Sequence, residues 1–270
     1  MSIQTPHFRG IFQGVSSLPP LSDDNLFNNR LWLESVEWYL RNDYSYCHRP
    51  DFWIEPYLRE IITLIVAKCY SLTGTVKVLD FGGGVDNTYV PIAAKIPKHL
   101  NYDYHIIDTP SHCQRGREIF RNDKRLSFFE SPEDDDPVFA FQKGFYDIVM
   151  VSGTLQYIRN WKSLLRKLVD LNNDFFVLTR FSTGEMPTFT TIQSIVMSYG
   201  PHKGKYVGDI YHTFINRSEI IHFLRQQDYE VCYDIFYADY RENLCLLPEP
   251  FCNACLRTMI FKKGANAGKE

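Results

Sequence analysis

No stretch of this sequence approaches the roughly 18 consecutive apolar residues that a membrane-spanning helix needs. The longest candidate, Ile61 to Ala67, is bounded by Glu60 and Lys68. Met1 to Gly10 lack the basic and apolar regions of a secretory signal, so a soluble, cytoplasmic protein without an integral membrane span is expected. There is no lysine or arginine block either. The 29 basic and 32 acidic residues leave a net charge of −3, which argues against nucleic acid as a partner. Internal repeats are absent. The seven cysteines, at 47, 69, 113, 232, 245, 252 and 255, are odd in number and scattered, which speaks for reduced thiols rather than a disulfide framework. Cys252 and Cys255 form a C-x-x-C with Cys245 upstream, but no second pair or close histidines complete a zinc set. Loop and strand cysteines are the stronger reading, and no metal is expected. The acidic run Glu130 to Asp136 contains Pro132, is followed by Pro137 and has no histidine, so it reads as a solvated loop.

What the chain does have is an apolar strand, Val76 to Phe81, running directly into Gly82-Gly83-Gly84. A turn without side chains can lie flat against a ligand. The next apolar strand, Tyr102 to Ile107, ends in Asp108, where a doubly wound sheet presents a carboxylate to an adenosine ribose. Dinucleotide sites use G-x-G-x-x-G, whereas here Val85-Asp86-Asn87-Thr88 follows. The third glycine is missing, and Asp86 would repel a pyrophosphate. Apolar-apolar-Asp-apolar-Gly-x-Gly is the pattern with which class I methyltransferases open their S-adenosylmethionine site. That cofactor is therefore weighted above NAD, with a plain structural corner as the remaining reading of the triplet.

At 270 residues and 44% apolar content, the chain suits one α/β domain with an elaboration. Residues 1–25 show little periodicity and are expected to be a loosely ordered extension. Helices are expected at 28–42 and 51–72, then alternating strands and helices. The strands are 76–81, 104–107, 126–129, 146–151 and 175–179, followed by a hairpin-like pair near 230–237 and 256–262. Helices are expected at 88–98, from Pro110, at 161–171 and at 217–227, the last with Asn216 and Glu219 in capping-box register. This predicts a Rossmann-like, doubly wound, mostly parallel seven-stranded sheet with an N-terminal helical extension. Residues 1–50 would form the extension and lid helix, and 51–270 the main domain. Within that domain, 181–215 would be an irregular insertion on the substrate side.

From Phe52 to about Lys263 the chain resembles a family of class I methyltransferases found in bacterial gene clusters for surface polysaccharide and lipopolysaccharide assembly. The resemblance rests on Val78-Leu79-Asp80-Phe81-Gly82-Gly83, Ile107-Asp108-Thr109-Pro110, Leu126-Ser127-Phe128-Phe129, Val151-Ser152-Gly153-Thr154-Leu155-Gln156-Tyr157-Ile158 and Phe214-Ile215-Asn216. It implies the fold and S-adenosylmethionine, and by association a sugar or other small, glycan-linked acceptor methylated on oxygen. This chain departs from the family by the third glycine, Gly84, and by Asp108 where relatives carry glutamate or glutamine.

On this reading Gly82 to Gly84 line the cofactor, Asp80 anchors their loop, and Asp108 with Thr109 faces the ribose, the carboxylate accepting both hydroxyls. Phe129, Glu130 and Ser131 are placed for adenine, with a solvated loop acid as the equal alternative for Glu130. Ser152 and Gly153 lie beneath the sulfonium. Methyl transfer needs alignment, exclusion of water and, for a hydroxyl acceptor, a base. The candidates are His212, Gln156 and Tyr157, with a structural role the alternative for His212 and a core role for Tyr157. Arg180 and Tyr211 are candidate acceptor contacts, Arg180 alternatively forming a structural salt bridge. Lys203 and Lys205 would suit a phosphate-bearing acceptor or simply form a solvated loop. A homodimer is allowed for. Two other readings stand beside the methyltransferase. One is an NAD-linked nucleotide-sugar oxidoreductase or epimerase, which lacks its Tyr-x-x-x-Lys pair here. The other is a methyltransferase-like binding subunit without turnover.

Overall fold

The computed structural model describes residues 7–14, 17–21, 26–42, 56–85, 88–97, 99–131, 143–197, 200–239, 244 and 247–264. In chain order these form β1 (His7–Phe12), a short 3-10 turn (Leu26–Asn28), α1 (Arg30–Asn42), α2 (Pro56–Thr73), β2 (Val76–Phe81) and α3 (Tyr89–Lys95). There follow β3 (Tyr102–Asp108), α4 (Pro110–Ile119), β4 (Leu126–Glu130), β5 (Ile148–Ser152), a second 3-10 turn (Leu155–Tyr157), α5 (Trp161–Val169) and β6 (Phe175–Gly184). The last elements are β7 (Phe189–Val196), β8 (Tyr206–Asn216), α6 (Arg217–Arg225), β9 (Tyr229–Asp239) and β10 (Ala254–Lys263).

The seven strands expected from the sequence lie side by side in the order β4-β3-β2-β5-β6-β10-β9. The first five are mutually parallel, and β10 runs antiparallel to both β6 and β9. Their near-continuous apolar runs follow from burial on both faces. On one face Val76, Val78, Tyr104 and Met150 meet Ile62 and Val66 of α2 and Ile92 of α3. On the other, Leu79, Phe81, Val149 and Phe176 meet Leu164 and Leu168 of α5 and Ile220 and Leu224 of α6. Helix starts follow local chemistry. Pro110 opens α4, and the Asn216 side chain accepts from the Glu219 backbone N–H at 2.9 Å to cap α6. The expected helix at 51–72 is present from Pro56, its first residues lying outside the described ones.

Two expectations are corrected. Residues 181–215 are not an irregular insertion: β6 continues to Gly184, and β7 and β8 pair as an antiparallel hairpin. This hairpin joins the main sheet through Thr183 with Ile215 and Gly184 with Asn216. Along β7, burial alternates strictly, but Thr191 and Gln193 point inward while Ile192 and Val196 are only partly buried, so the hydrophobic pattern conceals the strand. The N-terminal extension is likewise not wholly loose, because β1 adds to β7 with His7 opposite Ser194 and Arg9 opposite Ile192. A strand whose partner is so remote in sequence leaves little local signal. Among the described residues the sheet thus has ten strands, a mostly parallel core and a three-stranded antiparallel wing. No helix among the described residues is long and apolar enough to cross a membrane.

Candidate functional site

The carboxyl ends of β2, β3, β5 and β6 converge on the glycine turn. Gly82 and Gly84 have φ of 67° and 66°, a region costly for residues with a Cβ. A side chain on Gly83 would begin 2.6 Å from an Asp80 oxygen. Gly82 N–H donates to the Ile107 carbonyl at 2.8 Å, and Gly84 N–H donates to Asp108 Oδ2 at 2.9 Å. The side-chain-free turn and the strand-end carboxylate therefore sit together, at a topological switch point of the sheet.

The two carboxylates there are built differently. Asp108 Oδ1 accepts from Thr109 N–H at 2.7 Å and from His112 Nδ1 at 2.9 Å. Burial would raise its pKa, but the His112 hydrogen bond and the backbone donors outweigh that and hold it below the ordinary carboxylate value. A carboxylate offers about four acceptor sites, and three are taken, so one remains open. Asp80 is fully buried. Its Oδ2 accepts from Tyr104 OH at 2.8 Å, whereas Oδ1 has no hydrogen-bond partner among the described residues. Burial pushes its pKa up to about 7, opposed by the Tyr104 hydrogen bond and the Arg180 charge.

Beyond β5, the Ser152 hydroxyl accepts from Thr88 Oγ1 at 3.1 Å and from Arg180 Nη2 at 2.9 Å. Gly153 has φ of 65°, and Thr154 Oγ1 donates to the Gly82 carbonyl at 2.9 Å, tying the loop after β5 to the glycine turn. Gln156 Nε2 donates to the Gly153 carbonyl at 3.0 Å. Ser131 N–H donates to the Asp108 carbonyl at 2.9 Å. Phe129 packs beside His105, and Glu130 is exposed and paired with Arg117 at 2.7 Å.

The remaining candidates lie in the wing or its β7–β8 turn, except Tyr157, which ends the second 3-10 turn. His212 is fully buried; Nδ1 lies 2.8 Å from Gln193 Oε1 and Nε2 2.8 Å from Ser182 Oγ. Gln193 Oε1 can only accept, so Nδ1 carries the proton and Nε2 accepts from Ser182. Tyr157 OH donates to the same Gln193 oxygen at 3.2 Å, and burial pushes the His212 pKa down to about 3. Both ring nitrogens are thus committed inside the wing, a geometry that gives a base no path to a substrate proton. Tyr211 OH donates to the Pro19 carbonyl, and Arg159 lies over its ring at 5.0 Å. Lys203 and Lys205 are exposed at the β7–β8 turn. Lys205 Nζ lies 3.3 Å from His202, whose other nitrogen lies 2.6 Å from Glu34 of α1.

The N-terminal segment spans this edge. Asn28 Oδ1 accepts from Thr109 Oγ1 at 2.9 Å and from Ser111. Phe27 packs on Tyr157, Val36 and Trp32 pack against Val85 of the glycine turn and Ile119 and Phe120, and Glu37 pairs with Arg115 at 2.8 Å. Sequence reasoning missed Asn28, Thr88, His112 and Thr154. Only His112 left a trace, one helical turn beyond Asp108 on a helix opened by Pro110. Asp86, Asn87, Cys47 and Cys245 lie outside the described residues. Among the described residues no cluster of histidine, cysteine and acidic groups could hold a metal.

No family model and no curated protein matches this sequence. Among solved structures the chain is similar to the CcbJ methyltransferase from Streptomyces caelestis, at 13% identity and a TM-score of 0.50, over 77% of this chain and 89% of that one. It has the class I methyltransferase fold. A SAM-dependent methyltransferase from Methanosarcina mazei is also similar, at 15% identity and a TM-score of 0.49, over 73% of this chain and 96% of that one.

Proposed function

We propose that this chain binds S-adenosylmethionine at the glycine turn and transfers its methyl group to a small or glycan-linked acceptor. The observation that carries the reading is Asp80 Oδ1, a buried carboxylate oxygen without a donor beside a side-chain-free turn. Such an atom calls for a ligand donor or cation, because leaving it unpaired costs about 1–3 kcal/mol or more. The residues fit the cofactor: Asp80 suits its ammonium, the open site on Asp108 suits a ribose hydroxyl, and Gly82 to Gly84 leave room for the chain between. When bound, the cofactor supplies a methyl group on a cationic sulfur, and the protein's part is alignment and exclusion of water. Ser152 and Gly153 line the floor on this reading, with Gln156 above them. The segment from Leu26 through α1 acts as a lid, bridging α4 and the β7–β8 turn, and must open for cofactor exchange. Tyr157 and Tyr211 border the acceptor side through their contacts with Phe27 and the Pro19 carbonyl.

The acceptor class, a sugar or other small hydroxyl compound, rests on the sequence resemblance alone. One observation favours the reading without turnover: His212 is sealed inside the wing. Calorimetry with S-adenosylmethionine, S-adenosylhomocysteine and NAD tests the cofactor. The first two should bind and NAD should not. A preference for NAD would refute the assignment, and turnover with any hydroxyl acceptor would remove the inactive reading.

A further inference from the structure

The buried side chain of Gln156 is oriented by two residues in an unusual backbone conformation. Its Nε2 donates to the Gly153 carbonyl at 3.0 Å and to the Arg180 carbonyl at 3.4 Å. Both carbonyls can only accept, so the amide nitrogen must face them and Oε1 must turn away. Gly153 and Arg180 have φ of 65° and 52°, and among the described residues the other non-glycine positions with positive φ are Asn172 and Asp228, residue types that enter the left-handed region readily. For Arg180 the cause is a bulge. In the β6–β10 pairing, Phe181 faces Arg257 and Leu178 faces Met259, so Thr179 and Arg180 together oppose Thr258. A left-handed bulge residue is ordinarily glycine, and an arginine there is strain of the kind that collects at functional sites. What the bulge secures is the second carbonyl for the Gln156 amide.

Fixed in this way, Gln156 Oε1 has no hydrogen-bond partner among the described residues. A buried amide oxygen carries no hydrogen of its own, so only a donor can satisfy it. Its place in the fold says which donor. Gln156 follows Thr154, which ties the loop after β5 to the Gly82 carbonyl, and precedes Tyr157, on which Phe27 of the lid packs. The chain here passes from the glycine turn to the lid. Asp80 Oδ1, the other such oxygen at this edge of the sheet, belongs to an acid and suits a cation, whereas the neutral amide suits an uncharged donor.

We propose that Gln156 Oε1 receives the hydrogen of the acceptor's attacking group, a hydroxyl or an uncharged amine, and so turns that group's lone pair toward the methyl carbon. The inference rests on the cofactor reading above. In the transfer the lone pair forms the new bond to carbon, the carbon–sulfur bond breaks with its electron pair going to sulfur, and the positive charge passes to the attacking atom. The amide oxygen then holds that atom's hydrogen more strongly, so the contact strengthens as the charge develops. Gln156 does not take the proton, which leaves to water. An acceptor with no hydrogen on the attacking atom, such as a tertiary amine or a thioether, would leave Oε1 unpaired.

The test needs no acceptor. Sinefungin carries an ammonium group where the cofactor carries the transferred methyl, so its N–H donors point to the place of the attacking group, and S-adenosylhomocysteine carries nothing there. Calorimetry on the full chain compares these two ligands in the natural protein, Gln156→Leu and Gln156→Met. The natural protein should prefer sinefungin by about tenfold or more. Both variants should lose that preference while binding S-adenosylhomocysteine within about threefold of the natural protein. If the variants fail to fold because the Gly153 and Arg180 carbonyls have lost their donor, a crystal structure of the natural protein with sinefungin decides. Its ammonium should donate to Gln156 Oε1 directly or through one water. A preference that is missing from the natural protein or survives in the variants overturns the proposal, and so does a structure in which a protein group meets Oε1. Equal loss of both ligands would mark a purely structural glutamine and overturns it as well. Failure of the natural protein to bind either ligand would instead sink the cofactor assignment itself.

Discussion

Two buried polar networks lie on neighbouring parts of this molecule, and they differ in one respect. Where the wing meets β6, buried Ser182, His212 and Gln193 and half-buried Tyr157 form a chain in which each named donor meets an acceptor. At the mouth of the parallel sheet, Asp80 is as deeply buried but keeps one oxygen without a donor. A saturated network fixes one packing of the strands; spare capacity at the same depth marks a place reserved for something else. The histidine that looks most like a catalyst in the sequence is in the saturated network. The aspartate that looks like a loop anchor is in the open one.

The comparison is broken or sharpened most by removing one member of each. His212→Ala deletes a buried ring and strands its partners, so stability should fall by about 3–5 kcal/mol in chemical denaturation. Cofactor affinity of the molecules that remain folded should stay within about twofold. The reverse pattern, intact stability with lost binding or turnover, would move His212 back into the site. Asp80→Asn should do the opposite. Affinity for S-adenosylmethionine should drop by roughly 10- to 100-fold, and stability at pH 8 should hold or rise because a buried charge is gone.

The two networks also carry opposite pH signatures. His212 has a folded pKa near 3 against an ordinary 6.5, so the unfolded chain takes up its proton first, and stability falls as pH drops from about 6.5 towards 3. Asp80 has a folded pKa near 7 against 3.8, so the folded chain holds its proton longer, and stability falls as pH rises through that window, then levels. A cation beside Asp80 favours the ionised form. Cofactor binding should therefore tighten from pH 6 to 8 with release of a proton, a dependence that Asp80→Asn abolishes. Calorimetry in buffers of different ionisation enthalpy reads this directly, and a pH-independent affinity would remove Asp80 from the ligand contacts. The smallest effect belongs to the partly exposed clasp between Glu34 and His202. Glu34→Gln should leave the denaturation midpoint nearly unchanged, the more so in high salt, while speeding release of S-adenosylhomocysteine in stopped-flow measurements. An unchanged release rate would mean that α1 does not gate the site.

Much of the parallel core was legible because its signals are local. Val76 to Phe81 followed by three glycines, Tyr102 to Ile107 ending in Asp108, and Asn216 capping Glu219 each state their role within a few residues. The wing was not legible. Gln193 and Thr191 face inward where a hydrophobic pattern expects apolar residues, and their partners on β1 and β8 belong to distant segments. Within the site, the glycines and both aspartates were readable from the strand pattern. Asn28, Thr88 and Thr154 were not, because nothing in their own neighbourhoods points to Thr109, Ser152 or Gly82.

The amino-acid order alone determined the alternating strands and helices, the side-chain-free corner after β2 and the acid at the end of β3, since apolar periodicity and glycine chemistry act over single elements. Only the tertiary structure decided which polar groups are satisfied. It closed His212 between Gln193 and Ser182, turned Arg180 through a bulge onto Ser152, and left one oxygen of Asp80 without a donor. Hydrogen-bond saturation depends on neighbours brought together from remote parts of the chain, and no spacing along the sequence encodes it.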